Sequence, residues 1–205
     1  MGLVLTNLAS DAFDRANEDP VASPWVTGAG SLRMVLTGNV LLPNSVGSDA
    51  WSYYDGSIVW PNDQWSKSKV SVTGTSGGGA GAGLIVRKAA GATETYYRLV
   101  ADHAASNNVV LHRIIAGAVV SIATRTLAWT DTDVWELRAQ GPILTIGRNN
   151  FQVGDSVFDS LIASGFPGLA YSSTETAASF NDWEGGTIFP SGMVGPFTVS
   201  PQQRF

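Results

Sequence analysis

The 205 residues include no cysteine, and only 14% are charged, with a net charge of −5. That excludes a disulfide framework, a thiolate nucleophile and a cysteine-held metal. It also leaves a nucleic-acid partner without the clustered Lys and Arg that phosphate recognition needs. A hydrophobic content of 44% is too high for a disordered chain. The longest apolar runs, such as 114–120, fall well short of the ~20 residues of a membrane-spanning helix. Residues 1–8 lack a basic segment followed by a long apolar one, so no signal peptide is expected there.

In chain order, short alternating or apolar runs are broken by Gly, Asn, Asp, Pro and Ser, the signature of strands and turns. Residues 32–36 and 39–42 read as a hairpin around Thr37-Gly38. A strand at 56–60 is closed by the turn Pro61-Asn62-Asp63. Residues 64–73 alternate, with Trp65, Lys67 and Lys69 set against Val70 and Val72, as in a half-buried strand. The glycine-rich stretch 77–83 reads as a flexible loop, followed by strands at 84–88, 96–101 and 108–115. Gly117 marks a turn before 119–126. Strands at 134–139 and 143–148 flank the turn Gln140-Gly141-Pro142. Residues 155–163 are the best helix candidate, weighed against a loop with a single helical turn. Strands at 168–171 and 177–183 close the series. Ten to fourteen strands of this kind suit two antiparallel sheets packed face to face.

After Gly185-Gly186 the composition changes. Residues 187–205 contain three prolines, three phenylalanines and one charged side chain. The chain therefore divides into a β-sandwich domain, 1–186, and an extended C-terminal tail, 187–205, with the glycine pair as its hinge. Phe189, Met193, Phe197 and Phe205 are apolar residues that an extended tail would bury on another chain or on its own sandwich.

Several segments resemble the concanavalin A-like (laminin G-like) jelly-roll superfamily. They are Asp11-Ala12-Phe13-Asp14-Arg15-Ala16-Asn17 with Trp25, Gly83-Leu84-Ile85-Val86-Arg87 with Tyr96-Tyr97-Arg98-Leu99, and Val109-Val110-Leu111-His112-Arg113. Trp135-Glu136-Leu137-Arg138, Pro167-Gly168-Leu169-Ala170-Tyr171 and Ser179-Phe180-Asn181-Asp182-Trp183-Glu184-Gly185-Gly186 follow in the same order. The resemblance spans residues 9–186 and implies an all-β, two-sheet antiparallel jelly-roll sandwich. One departure is Arg148-Asn149-Asn150-Phe151, where such domains often carry an Asn-Gly hairpin. Modules of this kind in phage and environmental sequences imply a virion- or tail-associated setting, on the surface of a virion or other extracellular particle.

The chemistry of the residues narrows the function. Some jelly-roll relatives are glucanases that place their carboxylates in a Glu-x-Asp-x-x-Glu strand, and no such string is present; glycoside hydrolysis needs two carboxylates across one bond. No Gly-x-Ser-x-Gly elbow accompanies the two histidines. The glycines at 77–83 lead into a strand and lack the Gly-Lys-Ser/Thr ending of a phosphate loop. The chain is thus expected to be a non-enzymatic virion-associated structural or decoration module, held by other assembly proteins or by copies of itself. The alternative is a stand-alone carbohydrate-binding adhesion module, with a glycan hydrolase or lyase as the outsider. For sugar binding the candidates are Trp51, Tyr53, Tyr54, Trp60 and Trp65, whose rings could stack on sugar faces, with Asn62 and Asp63 for the hydroxyls; packing inside the sandwich competes for the same rings. No cofactor is required. One structural Ca²⁺ is considered, because many jelly rolls tie their terminal segments with such an ion. Asp11, Asp14, Asn17 and Asp182 would hold it, although the same residues also suit turn capping and a strand end.

Overall fold

The computed structural model describes residues 3–28, 33–44, 50–72, 81–102, 108–128, 130, 133–172 and 178–190. In chain order the strands are β1 (Leu3–Asp11), β2 (Trp25–Thr27), β3 (Met34–Thr37), β4 (Val40–Pro43), β5 (Ala50–Tyr54), β6 (Gln64–Val72), β7 (Gly81–Lys88) and β8 (Tyr96–Asp102). They continue with β9 (Asn108–Ile115), β10 (Ala118–Thr126), β11 (Val134–Gln140), β12 (Ile143–Arg148), β13 (Phe151–Gln152), β14 (Val157–Phe158), β15 (Phe166–Ser172) and β16 (Ala178–Pro190). One sheet runs β13-β12-β11-β6-β16-β4-β3, with β1 added to β16 and β14 to β12. The other runs β10-β9-β8-β7-β15-β5-β2. All the pairings are antiparallel. The protein is an all-β, two-sheet jelly-roll sandwich, and no helix occurs among the described residues.

The core lies between the sheets and follows the period of two along each strand. Val70, Trp135, Leu137, Leu144, Ile146, Phe180 and Trp183 face it from the first sheet; Leu84, Val86, Tyr97, Leu99, Leu111, Leu169 and Tyr171 face it from the second. In β6 the inward positions include serines. Buried Ser66 donates to Gly168 O across the sandwich (2.8 Å) and accepts the indole N–H of Trp183 (2.9 Å). A small, hydrogen-bonded residue leaves room for the large ring beside it without an unsatisfied polar atom.

The opening motif closes one end of this core. Asp11 accepts the backbone N–H of Phe13 (2.8 Å), the indole N–H of Trp25 (2.7 Å) and two contacts from Arg15 (2.7 and 2.9 Å). That carboxylate steers Trp25 onto Trp183, ring centroids 4.8 Å apart and edge to face, with Phe13 at 5.6 Å from Trp25. The spacing of Asp11, Phe13, Arg15 and Trp25 thus encodes a structural knot.

Hairpin chemistry matches the twist of the sheets. Gly38 and Asn39 (φ 59° and 64°) join β3 to β4, and Asn149 and Asn150 (φ 51° and 70°) join β12 to β13. Left-handed φ at both central positions is the primed turn that right-twisted hairpins prefer, and Asn tolerates it almost as well as Gly. The Asn-Asn pair therefore makes the turn that an Asn-Gly pair would make.

Four expectations change. The strand expected at 56–60 is a turn: Gly56 and Ser57 both adopt positive φ (51° and 56°), and the strand lies earlier, in β5. The helix candidate 155–163 is extended, with Val157 and Phe158 paired to β12. The glycines at the end of 77–83 enter β7, where a Cβ on Gly83 would strike the carbonyl of Leu99; the rest of that stretch lies outside the described residues. At the other boundary, β16 runs through Gly185-Gly186 to Pro190, with Thr187 and Ile188 buried, so the strand takes in the first four residues assigned to the tail.

The Asp11 knot gives a direct test. In Asp11→Ala the buried indole N–H of Trp25 loses its acceptor and the Arg15 guanidinium is left with Glu18 alone. Denaturant unfolding should show a loss of about 2–3 kcal/mol, in the range for removing charged hydrogen bonds from a buried donor; a loss within experimental error would show that the knot is dispensable.

Candidate functional site

At one end of the sandwich four segments converge around a cleft of about 430 Å³. Asn62 and Asp63 come from the approach to β6, Arg87 from the end of β7, Gly141 and Pro142 from the β11–β12 turn, and Phe158, Ser160 and Ala163 from the segment after β12 and before β15. Arg87 sits at their junction, 2% exposed. Its guanidinium donates to three carbonyls: Nε to Asn62 (3.0 Å), one terminal nitrogen to Ile162 (3.0 Å) and the other to Gly141 (2.7 Å). The Asp63 carboxylate lies 3.8 Å away and accepts the N–H of Gly141 at 2.7 Å. Burial lowers the Arg87 pKa, while Tyr97 and Asp63 act in the opposite direction. Arg87 has φ 56°, a left-handed kink at the strand end that turns its side chain toward the loops.

The wall carrying Phe158 and Ser160 is fixed from beneath. Tyr97 donates its hydroxyl to Asp159 (2.7 Å) and accepts the N–H of Ile162 (3.1 Å); Asp159 also accepts the N–H of Leu161 (3.0 Å) and pairs with Arg113. Burial, then the bond to Asp159, push the Tyr97 hydroxyl up to about 12. Burial tends to raise Asp159, but the donors Tyr97, Leu161 N–H and Arg113 together hold it below the ordinary carboxylate range. With Asp159 turned inward, Phe158 points outward, 75% exposed. The lining is mixed: Phe158, Pro142 and Ala163 supply apolar surface, and Asn62, Asp63 and Ser160 supply an amide, a carboxylate and a hydroxyl. Among the described residues that line it, Asp63 is the one carboxylate.

Comparison with known proteins adds the fold's relatives. No protein-family model matches the chain, and no curated protein matches it. Among solved structures it is similar to the carbohydrate-binding module CBM66 from Bacillus subtilis, with TM-score 0.62 and 21% identity over 80% of this chain and 96% of that one. It is similar to the metal-free exoplasmic/lumenal domain of VIP36, with TM-score 0.60 and 12% identity over 91% and 95% of the two chains. It also resembles part of a xylan β-1,4-xylosidase from Bacillus halodurans C-125, TM-score 0.59 and 13% identity, covering 86% of this chain but 38% of the enzyme. The fold is one shared by the carbohydrate-binding module CBM66 and the exoplasmic/lumenal domain of VIP36.

The aromatic residues of the 51–65 stretch are dispersed by this fold. Trp51 and Tyr53 are buried on the outer face of the second sheet, rings 6.1 Å apart, beneath the Lys88 ammonium, which lies 4.1 Å from the Trp51 ring. That ammonium donates to the carbonyls of Ala89, Gly91 and Thr93, and burial pushes its pKa down to about 8. Tyr54 and Trp60 pack against Trp183 inside the sandwich. Trp65 is buried on the outer face of the first sheet. With its rings packed against protein, this stretch contributes Asn62 and Asp63 to the cleft. Arg87, Pro142, Phe158 and Ser160 are lining residues that sequence reasoning missed. For Phe158 the misleading signal was the spacing of Val157, Phe158, Leu161 and Ile162, which mimics a helix face.

The proposed calcium quartet is divided as well. Asp14 accepts from Asn39 (2.9 Å) and Asn17 from the N–H of Gly38 (3.0 Å), so both brace the β3–β4 turn. Asp11 and Asp182 share a small cavity of about 130 Å³ with Glu184, but the Asp11 oxygens are taken up by Arg15, Trp25 and Phe13 N. A guanidinium already stands where a cation would bind, and no group of three or more His, Cys, Asp or Glu is arranged for a metal among the described residues. The four residues do not fit a Ca²⁺ cage. Phe189 pairs with Val4 in the sandwich; Met193, Phe197 and Phe205 lie outside the described residues.

The Asp159 network has a pH signature. Its folded pKa is depressed, so its contribution is complete above the unfolded value of about 4 and is lost as pH falls through the lower folded value. Thermal unfolding of the parent chain and of Asp159→Asn should differ at pH 6 and converge as the pH is taken below 4. A constant gap would rule out ionised Asp159 as the anchor of that wall.

Proposed function

We propose that this chain is a non-enzymatic, lectin-like module that binds a glycan in the cleft bounded by Asn62, Asp63, Ser160 and Phe158. The observation that carries this reading is the mixed lining: an exposed Phe158 ring in the same cleft as an amide, a carboxylate and a hydroxyl held on fixed loops. Sugars present an apolar C–H face and a rim of hydroxyls, and sites that bind them supply both surfaces at once. The likeness to CBM66 and VIP36 supports the same reading. A single lining carboxylate favours binding over hydrolysis, which needs a second one across the bond. Anchorage to a virion or other extracellular particle, through assembly proteins or further copies of the chain, is compatible with a glycan-binding face and rests on the low charge and the apolar C-terminal sequence.

A glycan array followed by calorimetry tests the proposal. Phe158→Ala and Asp63→Ala should each weaken the best array ligand at least about tenfold, ~1.4 kcal/mol. Circular dichroism should be unchanged for Phe158→Ala, whose ring is exposed. Undiminished binding in both variants, no ligand across a broad array, or release of sugar from a polysaccharide panel would each overturn it.

A further inference from the structure

Beside the cleft, the outer face of the first sheet carries a short strip of exposed apolar side chains. Leu144 and Val157 pair across β12 and β14 and pack toward the core, so the next pair, Ile143 and Phe158, turns outward. Ile143 is 45% exposed and Phe158 75%. Paired side chains on one face of a sheet stand about 5 Å apart. Ile143 therefore extends the apolar lining that Phe158, Pro142 and Ala163 give the cleft. The strip is bounded by polar residues. Across the β11–β12 pairing, the residue in register with Ile143 is Gln140. Along β12 the next outward residue is Thr145, whose hydroxyl lies 3.0 Å from that of Ser156. A strip one cross-strand pair wide is far smaller than the roughly 800 Å² that each partner gives to a stable protein interface. It is also continuous with the polar groups of Asn62, Asp63 and Ser160 in the cleft.

We infer, resting on the reading that this cleft binds a glycan, that the sugar it takes carries a short acyl group, an acetamide or an acetyl ester, whose methyl packs on Ile143 and the Phe158 ring. An aromatic face accepts the C–H groups of an unsubstituted sugar, but Ile143 offers neither a π face nor a hydrogen bond. A sugar hydroxyl laid over it would give up water without gaining a partner, a cost that a methyl group does not incur. The polar part of an acyl group meets matching chemistry in the same lining. Its carbonyl is an acceptor for the Asn62 amide or the Ser160 hydroxyl, and the N–H of an acetamide is a donor for the Asp63 carboxylate. A long acyl chain would run past the strip onto Gln140, Thr145 and Ser156, where it gains no apolar contact.

Matched ligand pairs test the inference on the full chain. Each array glycan that binds is compared by calorimetry with its acetylated or deacetylated counterpart. Chito- and cello-oligosaccharides of equal length supply an uncharged acetamide pair, and alkaline deacetylation supplies the ester pairs. The acetylated member should bind about fourfold more tightly for each methyl buried, and the kind of pair that shows the preference tells amide from ester. Ile143→Thr keeps a β-branched side chain at an exposed strand position, so circular dichroism should be unchanged while the ratio within the pair falls towards one. Equal binding of both members of every pair, or a preference that survives Ile143→Thr undiminished, overturns the inference and leaves the glycan reading standing. An array on which nothing binds removes that reading and this one with it. A dimer of the full chain that dissociates in Ile143→Thr, seen by sedimentation, would assign the strip to a second copy and likewise overturn the inference.

Discussion

A guanidinium removed from water needs acceptors for its N–H groups, and Arg87 finds them in three separate loops. The carbonyls of Asn62, Gly141 and Ile162 belong to loops far apart in sequence at the ends of paired strands, and the charge at their centre ties the three together. Each such charge-assisted bond contributes about 1.5–3 kcal/mol. A severed contact would also leave a buried donor without a partner, so the loops have one arrangement. Asp63 receives the N–H of Gly141 within that arrangement, and its own carbonyl accepts Ile188 N–H (3.1 Å) and the Thr187 hydroxyl (3.0 Å), which ties the cleft floor to β16. Gln64 completes the junction, with its amide N–H group donating to Pro61 and Gly165 and its oxygen accepting Arg87 N–H. The cleft is rigid because its polar frame is satisfied from below, which leaves Asn62, Ser160 and the Phe158 ring available to a ligand.

The two sheets solve the problem of their large aromatics differently. Between them, serines of β6 make room for Trp183 and accept its N–H. On the outer face of the second sheet, Lys88 spans Trp51 and Tyr53 and spends its three donors on the loop carbonyls of residues 89–93. A charged group buried this way is tolerable because each proton has an acceptor and the rings present a favourable π face. In neither place do rings that looked available to a sugar keep a free face.

The regular frame was largely legible because its signals are local. Alternation in 64–73, and the turn residues Thr37-Gly38 and Gln140-Gly141-Pro142, mark strands and reversals within a few residues of each other, the first turn falling one residue later, at Gly38-Asn39. Legibility failed where two local signals competed. Residues 56–60 look β-prone, yet two successive positive-φ positions turn the chain there. Residues 155–163 have helix-like apolar spacing, yet Asp159 is drawn inward by Tyr97 and Arg113, which holds the segment extended.

The sequence by itself determined the fold class, the strand-and-turn order, the Asp11–Trp25 motif and two of the cleft's polar residues, since each depends on residue type and short spacing. Tertiary structure decided the face to which each aromatic is committed. Trp51, Trp60 and Trp65 stand close together in the chain and end in three different layers, because a side chain's exposure depends on what packs above it as well as on its own strand. Tertiary structure likewise brought Phe158 and Ser160 to Asn62 and Asp63. That meeting is built by the β6–β11, β11–β12 and β12–β14 pairings and tied by one arginine reaching from β7, and no local pattern of residues encodes contacts of that range.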